Sequence, residues 1–370
     1  MSIFYFGKST DAAYLFLDMI LIIFIPGMFR SYKMVSSRDI YDNLICELRG
    51  MWPQGRVSEE EHATLAPTLT RLHNVINGYF WCNVFLTVSF IAPPYIDIIK
   101  RAIGLPNPRI LPFTYGLLPF DQLQPVYFEI ILTLQTWQTL LTVFFIVCGD
   151  IFFCVLLSHI TAQFDLLCIR ITRLIFVPID GQLIAEYPLG RTSVKLLQTN
   201  QDLASLESTL QEEIILRELK EIAERHDTLI RFSNYLERLY SFPLLVNFIY
   251  SSIIICFCAI FIVMIENITE FKYKLFLITS LSQIWVLCYY GETLPKSSRN
   301  VSTALYNCGW YNSSVKVRRS IHIMITRAQK FVYISTYGFS IICLENYTKI
   351  IKTAWSYFTI LLNAYNPDIE

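Results

Sequence analysis

Apolar stretches long enough to cross a lipid bilayer recur along the chain and constrain its fold more than any other feature. Taking about 18 apolar residues as the length of one crossing, the sequence predicts six membrane spans. They are residues 12–29, 79–96, 126–157, 244–265, 273–290 and 340–365. The second span closes on Pro93 and Pro94, and the third is long enough to continue past Asp150 toward Leu167. A helix satisfies its own backbone hydrogen bonds inside lipid, so we predict an all-α, polytopic membrane helical bundle.

The composition agrees with a membrane protein and offers no sign of an enzyme. Hydrophobic residues make up 54% of the chain and charged residues 16%, against about 25% charged residues in a soluble domain. The 30 basic residues balance the 30 acidic ones, which argues against a nucleic-acid partner. Most of the ten cysteines lie in apolar stretches, without the spacing of metal ligands. We therefore predict no catalytic site, no cofactor and no metal.

Basic residues are distributed unevenly between the loops, and this predicts the topology. The loops 30–78, 158–243 and 291–330 carry six, nine and seven Lys or Arg residues, whereas 97–125 and 266–274 carry three and two. Basic loops stay on the cytoplasmic side of a membrane. The basic-rich loops are therefore predicted to be cytoplasmic, and both chain ends to lie outside.

Two features of the predicted outer loops are of interest. Asn267 opens an Asn-Ile-Thr sequence in the short loop between the fourth and fifth spans, which makes it a glycosylation candidate. The loop 105–124 is rich in proline and also contains aromatic and leucine side chains. Such a loop cannot be helical throughout, and we predict a stiff, folded lid over the outer ends of the second and third spans.

The longest cytoplasmic segment has the pattern of a helix. Residues 202–240 contain no Gly or Pro and carry an apolar stripe that includes Leu210, Ile222, Leu229 and Leu236. The stripe could pack within its own subunit or against a neighbouring one. The sequence favours the neighbouring subunit, because a chain of this composition has no evident soluble core for the helix to join.

The last span combines an apolar surface with one polar stripe, which we call the polar ridge. Its six residues are Glu345, Lys349, Lys352, Ser356, Thr359 and Asn363. At about 100° per residue they fall within a stripe about 80° wide on one helix face. A membrane helix turns such a stripe away from lipid, toward partner helices or water. The ridge is therefore either a helix–helix seam or the wall of a pore.

The order and spacing of several short motifs in the last eighty residues resemble the insect odorant receptors. These motifs are Tyr290-Gly291-Glu292, Ala304-Leu305-Tyr306, Trp310-Tyr311, Arg327-Ala328-Gln329-Lys330 and Ser356-Tyr357-Phe358-Thr359-Ile360-Leu361-Leu362. Met51-Trp52-Pro53 is similar to a segment of lepidopteran members. The family has seven spans. The segment 12–29 resembles its second helix, so the resemblance implies that the first helix is missing here.

The resemblance implies a tuning subunit of a ligand-gated, non-selective cation channel. Such a subunit forms a hetero-tetramer with a shared odorant co-receptor in the plasma membrane of an olfactory neuron dendrite, and it binds a volatile odorant or pheromone. By motif alignment Ile360 matches the family's hydrophobic gate, and Asn363 and Ala364 match its polar outer constriction. Ser356 and Thr359 then line the pore on the same ridge.

The resemblance also places the odorant in the outer half of the membrane, among the helices that precede the pore helix. A volatile ligand calls for an apolar, aromatic site with one or two hydroxyl or amide groups. The candidate lining residues are Phe16, Phe85, Ser89, Phe90, Gln135, Thr136, Thr139 and Phe257. For each of them ordinary helix packing is the alternative interpretation.

Together these inferences divide the chain into five segments. Membrane helices and the lid occupy residues 1–157, a cytoplasmic helical anchor 158–243, further membrane helices 244–290, an anchor helix 291–339 and the pore-lining helix 340–365. A G-protein-coupled receptor, or a taste-type chemoreceptor of inverted topology, remains the alternative function.

Overall fold

The computed structural model describes residues 32, 36–52, 58–105, 109, 111, 124–175, 201–264 and 270–365. Helices make up most of this part of the chain and are named α1 to α7. They are α1 (Arg38–Gly50), α2 (Glu59–Ala102), α3 (Pro125–Thr172), α4 (Gln201–Met264), α5 (Glu270–Asn307), α6 (Val315–Ala328) and α7 (Leu344–Tyr365). The all-α prediction is confirmed. The first predicted span, Phe16, Asn267 and most of the predicted lid lie outside the described residues.

Helix α2 begins with a capping box and continues further than the sequence indicated. Ser58 and Glu61 exchange side-chain-to-backbone hydrogen bonds of 3.0 and 3.3 Å, which satisfies two N–H groups of the first turn. The membrane span was predicted to close on Pro93 and Pro94, and the helix itself continues beyond them to Ala102. Prolines are tolerated inside a membrane helix where neighbouring groups compensate for the lost hydrogen bonds.

Helix α3 confirms the expected continuation past Asp150 toward Leu167. It begins with Pro125, whose fixed φ suits the first helical position, and ends at Thr172. Beyond the predicted span its side chains are deeply buried, and Phe164 is completely shielded from solvent. The C-terminal third of α3 is therefore part of a packed core.

Helix α4 joins two segments that were predicted as separate elements. Residues 202–240 and the fourth span form one helix of 64 residues that passes through Pro243. Ile222, Leu229 and Leu236 of the apolar stripe are fully buried within this chain. The expectation that this part of the stripe contacts another subunit is wrong, because the extended ends of α3 and α5 supply the missing core. Leu210, nearer the start of α4, is 60% exposed.

Helix α5 is the central element of the bundle. It packs against α2, α3, α4, α6 and α7, whereas α7 packs against α4 and α5. Leu294, Val301 and Leu305, in the part of α5 beyond the predicted span, are fully buried in the main core. Helix α5 therefore touches both the helices of the predicted ligand side and the predicted pore helix.

Among the described residues, three helices are long and apolar enough to cross a membrane. They are α2, α3 and the part of α4 from Leu210 to Val263, which contain the second, third and fourth predicted spans. The fifth and sixth predicted spans are helical in α5 and α7 but are not among these three. The polar ridge explains the lower hydropathy of α7, and Lys272, Lys274 and Gln283 have the same effect in α5.

Candidate functional site

A connector, residues 329–343, leads from α6 into α7 and folds back on itself. Ser335 and Ile341 form an isolated antiparallel bridge. The Thr336 N–H donates to the Ser340 carbonyl at 2.8 Å. The turn between them places Tyr337 at a φ of 52°, a left-handed conformation that is uncommon for a residue with a side chain. The connector is therefore a defined turn that sets where α7 begins.

Side chains of α4 and α5 hold this connector. The Glu237 carboxylate of α4 accepts hydrogen bonds from the Ser335 N–H, at 3.2 Å, and from the Ser335 hydroxyl. On α5, the Ser298 hydroxyl oxygen accepts the N–H of Val332 at 3.1 Å. Hydrogen bonds to a charged group are stronger than those between neutral groups. We therefore regard Glu237 as the firmer of the two attachments.

A second carboxylate holds the first turn of α7. Glu292 of α5 accepts the N–H of Leu344 at 3.0 Å and forms an ion pair with Lys296 at 2.7 Å. The first N–H groups of a helix have no partner inside the helix and carry partial positive charge. Lys296 first, and the Leu344 N–H second, lower the pKa of Glu292. The negative charge at the N-terminus of α7 is thereby stabilised.

One face of α7 packs against its own chain. Ala354 is 1% exposed and Phe358 is 7% exposed, with Tyr347 and Ile350 partly buried against the same core. At about 100° per residue Ala354 lies about 180° from Glu345, on the side of the helix opposite the polar ridge. The hydrophobic contacts of α7 with α4 and α5 are therefore made by the face that carries no ridge residue.

The polar ridge lies on the surface of the single chain. Glu345, Lys349, Lys352, Ser356 and Asn363 are exposed, and Thr359 is half-buried with its hydroxyl donating to the Ser356 carbonyl at 2.9 Å. Lys349 pairs with Glu345 at 2.7 Å. The exposed helix face carries large apolar side chains beside the ridge: Trp355 (63% exposed), Tyr357 (57%) and Ile360 (60%). The side chain of Ala364 lies outside the described part.

Two of the predicted ligand contacts meet in one apolar cluster. Phe90 of α2 is buried with Cys258 and Phe261 of α4, and Phe257 packs against the same group. The Phe90 ring lies 6.1 Å from the ring of Phe276 in α5. The predicted outer-half contacts of α2 and α4 are therefore neighbours in space.

The other predicted contacts lie on α2 and α3 and are not members of this cluster. Gln135 on α3 is 1% exposed. The Thr139 hydroxyl donates to the Gln135 carbonyl at 2.8 Å, and the Thr136 hydroxyl lies 3.2 Å from the Tyr95 hydroxyl of α2. Ser89 donates to a carbonyl of its own helix at 2.7 Å. Phe85 is 54% exposed, with its ring 6.4 Å from that of Phe271.

A polar network between four helices was not assigned a role from the sequence. Asp150 of α3 is 2% exposed and accepts hydrogen bonds from the Tyr79 hydroxyl at 2.9 Å and from Gln283 at 2.7 Å. Gln283 also lies 3.4 Å from the Asn247 amide oxygen of α4. The available signal was an acidic residue within an apolar stretch, which is costly in lipid and commonly marks a functional or structural polar contact.

Comparison with known proteins places this architecture in a family. The sequence matches the family described as 7tm Odorant receptor over residues 16–355. It is 35% identical to Odorant receptor 13a of Drosophila melanogaster over 45% of this chain and 43% of that protein. It is 22% identical to Odorant receptor 85c of the same species over 97% of this chain and 84% of that protein. The 13a match, like several others, therefore spans less than half of the relative's length.

A solved structure agrees with the fold. The insect olfactory receptor OR5 from Machilis hrabei, in complex with eugenol, superimposes with a TM-score of 0.76 and covers 96% of this chain and 83% of its own chain. Sequence identity in that comparison is 18%, so it supports the fold alone. The family match extends over most of the sequence, and the chain belongs to the 7tm odorant receptor family.

Proposed function

We propose that this chain is the odorant-binding tuning subunit of a heteromeric, ligand-gated, non-selective cation channel formed with an odorant co-receptor. The observation that carries the proposal is the two-sided character of α7. Its packed face holds Ala354 and Phe358, and the polar ridge is exposed on the opposite side. A ridge of this kind cannot face lipid, so it requires water or partner helices.

A ring of four subunits satisfies this requirement. When four copies of such a helix surround one axis, their ridges enclose an aqueous path. The exposed side chains of Trp355 and Tyr357 are then available for contacts between subunits or with lipid. Helix α5, which touches α7 and the ligand-side helices α2 and α3, supports a route from ligand to pore.

Within this path the residues have distinct roles. Ile360 would form the hydrophobic gate, since a ring of apolar side chains closes a pore by excluding water. Asn363 and Ala364 would form the outer constriction, where amide oxygens face the cations. Ser356 and Thr359 would line the path below. The ion pair between Lys349 and Glu345 offsets a positive charge that would otherwise repel cations.

The odorant would bind among α2, α4 and α5, where Phe90 and Phe257 share the apolar cluster. Gln135, Thr136 and Thr139 on α3, and Ser89 on α2, would offer polar groups. Phe85 would complete the site only if its exposed ring turned inward. Phe16 lies outside the described residues and is proposed from the sequence alone. Because Machilis OR5 was solved with eugenol, an aromatic volatile is a suitable first probe beside long-chain pheromone-like compounds.

The proposed location is the plasma membrane of the olfactory neuron dendrite, with Asn267 outside and available for glycosylation. The segments 158–243 and 291–339 would form the cytoplasmic anchor. A G-protein-coupled or taste-type receptor was left open by the sequence. The odorant receptor family match over residues 16–355 favours the present proposal.

Co-expression tests the proposal directly. The chain is expressed with and without the co-receptor in cells lacking the relevant G-protein signalling, and currents to an odorant panel that includes eugenol are recorded. We expect currents when both subunits are present and none with this chain alone. A response that needs no co-receptor, and that appears only in parallel cells with intact G-protein signalling, would contradict the channel proposal.

A further inference from the structure

Lys352 carries a positive charge on the polar ridge that the chain itself does not neutralise. It is exposed and forms no ion pair with any residue that the structure describes. Lys349, about one turn earlier, differs because it pairs with Glu345 at 2.7 Å. The sequence between Asn346 and Pro367 contains no acidic residue that could pair with Lys352 along the helix. The ridge therefore carries one balanced pair of charges and one uncompensated lysine.

The carboxylates that hold the start of α7 are already engaged elsewhere. Glu292 of α5 accepts the N–H of Leu344 and pairs with Lys296, and Glu237 of α4 holds the connector that precedes Leu344. At about 1.5 Å per helical residue, Lys352 lies about 12 Å beyond Leu344 along the helix axis. These two carboxylates therefore lie about two turns before Lys352 and leave its charge unbalanced.

Lys352 lies on the same side of α7 as the residues assigned to the proposed pore. At about 100° per residue it is within about 20° of Thr359 and Asn363, and about 160° from Ala354 on the packed face. Along the helix axis it precedes Ile360 by about 12 Å. Because a helical side chain leans toward the N-terminus of its helix, the ammonium group of Lys352 lies on the cytoplasmic side of the proposed gate.

A lysine inside the last predicted span needs contact with water, because a charged side chain in hydrocarbon is costly. The ammonium group of Lys352 can reach water in two ways. It can lie in an aqueous path enclosed by the ridges of several subunits, or its stem can extend along lipid to the inner headgroups. Ser356 and Asn363 are exposed on the same ridge and also avoid lipid, which favours the aqueous path.

We propose that Lys352 makes the channel rectify, so that inward current passes more readily than outward current. Its positive charge lowers the concentration of cations at the cytoplasmic entrance, whereas cations arriving from outside meet Asn363 and the gate first. One unit charge about 8 Å from a cation in water changes the local cation concentration about twofold. The inference rests on the proposed channel function and assigns a role to one further residue of the same path.

Rectification is measured in excised patches from cells that express the full chain together with the co-receptor. Both sides of the patch are bathed in the same potassium chloride solution, first at about 150 mM and then at about 10 mM. The channel is opened by whichever compound of the odorant panel, eugenol included, evokes the largest current. The measured quantity is the ratio of outward to inward current at equal and opposite voltages. Dilution lengthens the screening distance from about 8 Å to about 30 Å, so an effect of charge must grow.

The variants change the charge at this position in steps. Lys352→Gln should raise the ratio about twofold and Lys352→Glu about fourfold, with larger increases in dilute salt, whereas Lys352→Arg should resemble the native channel. Lys330→Gln, which removes an exposed lysine of the connector, is the matched control. The double change Glu345→Gln with Lys349→Gln removes a balanced pair and is a second control. Both controls should leave the ratio unchanged.

Two results would overturn the inference and leave the proposed function standing. The first is an odorant-evoked current whose ratio is the same in the native channel, Lys352→Gln and Lys352→Glu, which would place the ammonium group among the headgroups. The second is an increase in the ratio that does not depend on salt concentration, which would indicate a change of structure. The absence of any odorant-evoked current in the native assembly would instead contradict the proposed function, and this inference with it.

Discussion

Gly291 illustrates how a single residue sets the position of the predicted pore helix. A Cβ atom at this position would lie 2.4 Å from Cγ2 and 2.7 Å from the carbonyl oxygen of Ile342. Both contacts involve the connector just before α7, and one of them is backbone that cannot rotate away. Glycine within a helix costs about 1 kcal/mol relative to alanine, so its presence here is explained by the close approach of the connector.

We expect Gly291→Ala to displace the connector and lower the free energy of unfolding by about 1–3 kcal/mol, the usual cost of overpacking. Gly78→Ala is the matched control, since Gly78 lies inside α2 with no atom within 4 Å of its added Cβ. Thermal unfolding of both purified variants in detergent measures the difference. An unfolding temperature of Gly291→Ala equal to that of Gly78→Ala would show that the contact is not restrictive.

Asn363 supports a second prediction at the same scale, which depends on the proposed pore. Asn363→Asp places a negative charge at the outer constriction in each copy of this subunit, and carboxylates hold divalent cations more strongly than amides. We expect external Ca²⁺ to block the current at about tenfold lower concentration, equivalent to about 1.4 kcal/mol. Current recordings at varied Ca²⁺ concentration provide the measurement.

Asn300→Asp is the control for this change, because Asn300 is an exposed asparagine of α5 in the basic-rich segment that follows the fifth span. It should leave the Ca²⁺ block unchanged. Identical block in the native channel and both variants would exclude Asn363 from the conduction path.

The polar ridge, which includes Asn363, and Gly291 differ in whether their roles can be predicted from the sequence. The polar ridge was predictable because the spacing of Glu345 to Asn363 follows the period of a helix, and its exposure agrees with that reading. The requirement for Gly291 was not predictable, because it arises from contact with Ile342, 51 residues further along the chain. The period of a helix can be recognised from the sequence alone, whereas close contacts between residues far apart in the chain depend on tertiary packing.

At the scale of elements, the connector is the link between α6 and α7. It is attached to α4 through Glu237 and to α5 through Ser298, and Glu292 of α5 holds the first residue of α7. Helices α4 and α5 also contribute buried side chains to the apolar cluster that contains Phe90. A displacement of either helix would therefore reach the start of α7 through hydrogen bonds rather than through flexible chain.

We expect Glu237→Ala to free the connector while leaving the core folded. Hydrogen bonds to charged groups contribute about 1.5–3 kcal/mol, so amide exchange in residues 329–343 should accelerate by at least about tenfold. Hydrogen–deuterium exchange with mass spectrometry provides the measurement. Glu224→Ala, at an exposed position on the same helix, should leave the connector protected. Unchanged exchange in Glu237→Ala would mean that Ser298 and Glu292 suffice.

The prolines show where element boundaries could not be predicted. Pro93 and Pro94 suggested a helix end, yet α2 continues through both, and α4 likewise continues through Pro243. A proline removes one backbone hydrogen bond locally, and the packing of adjacent helices outweighs that loss. The sequence shows that each proline removes a backbone hydrogen bond, but it does not show the packing contacts between helices that compensate for the loss.

At the scale of the whole molecule, the polar groups of the bundle differ in what surrounds them. The Asp150 network lies between four helices, whereas the polar ridge extends along the exposed face of α7. The basic loops predict that the start of α7 lies toward the cytoplasm and that its end faces outside. The orientation of the molecule therefore decides which solution each end of the ridge meets.

Epitope tags test this orientation. A tag after Glu370 should be stained by antibody on intact cells, because the basic-rich loops remain inside and an odd number of crossings separates them from the C-terminus. A tag inserted after Asn312, in the short turn between α5 and α6, should be stained only after permeabilisation. The reverse pattern would place the basic-rich loops outside the cell and favour the G-protein-coupled alternative.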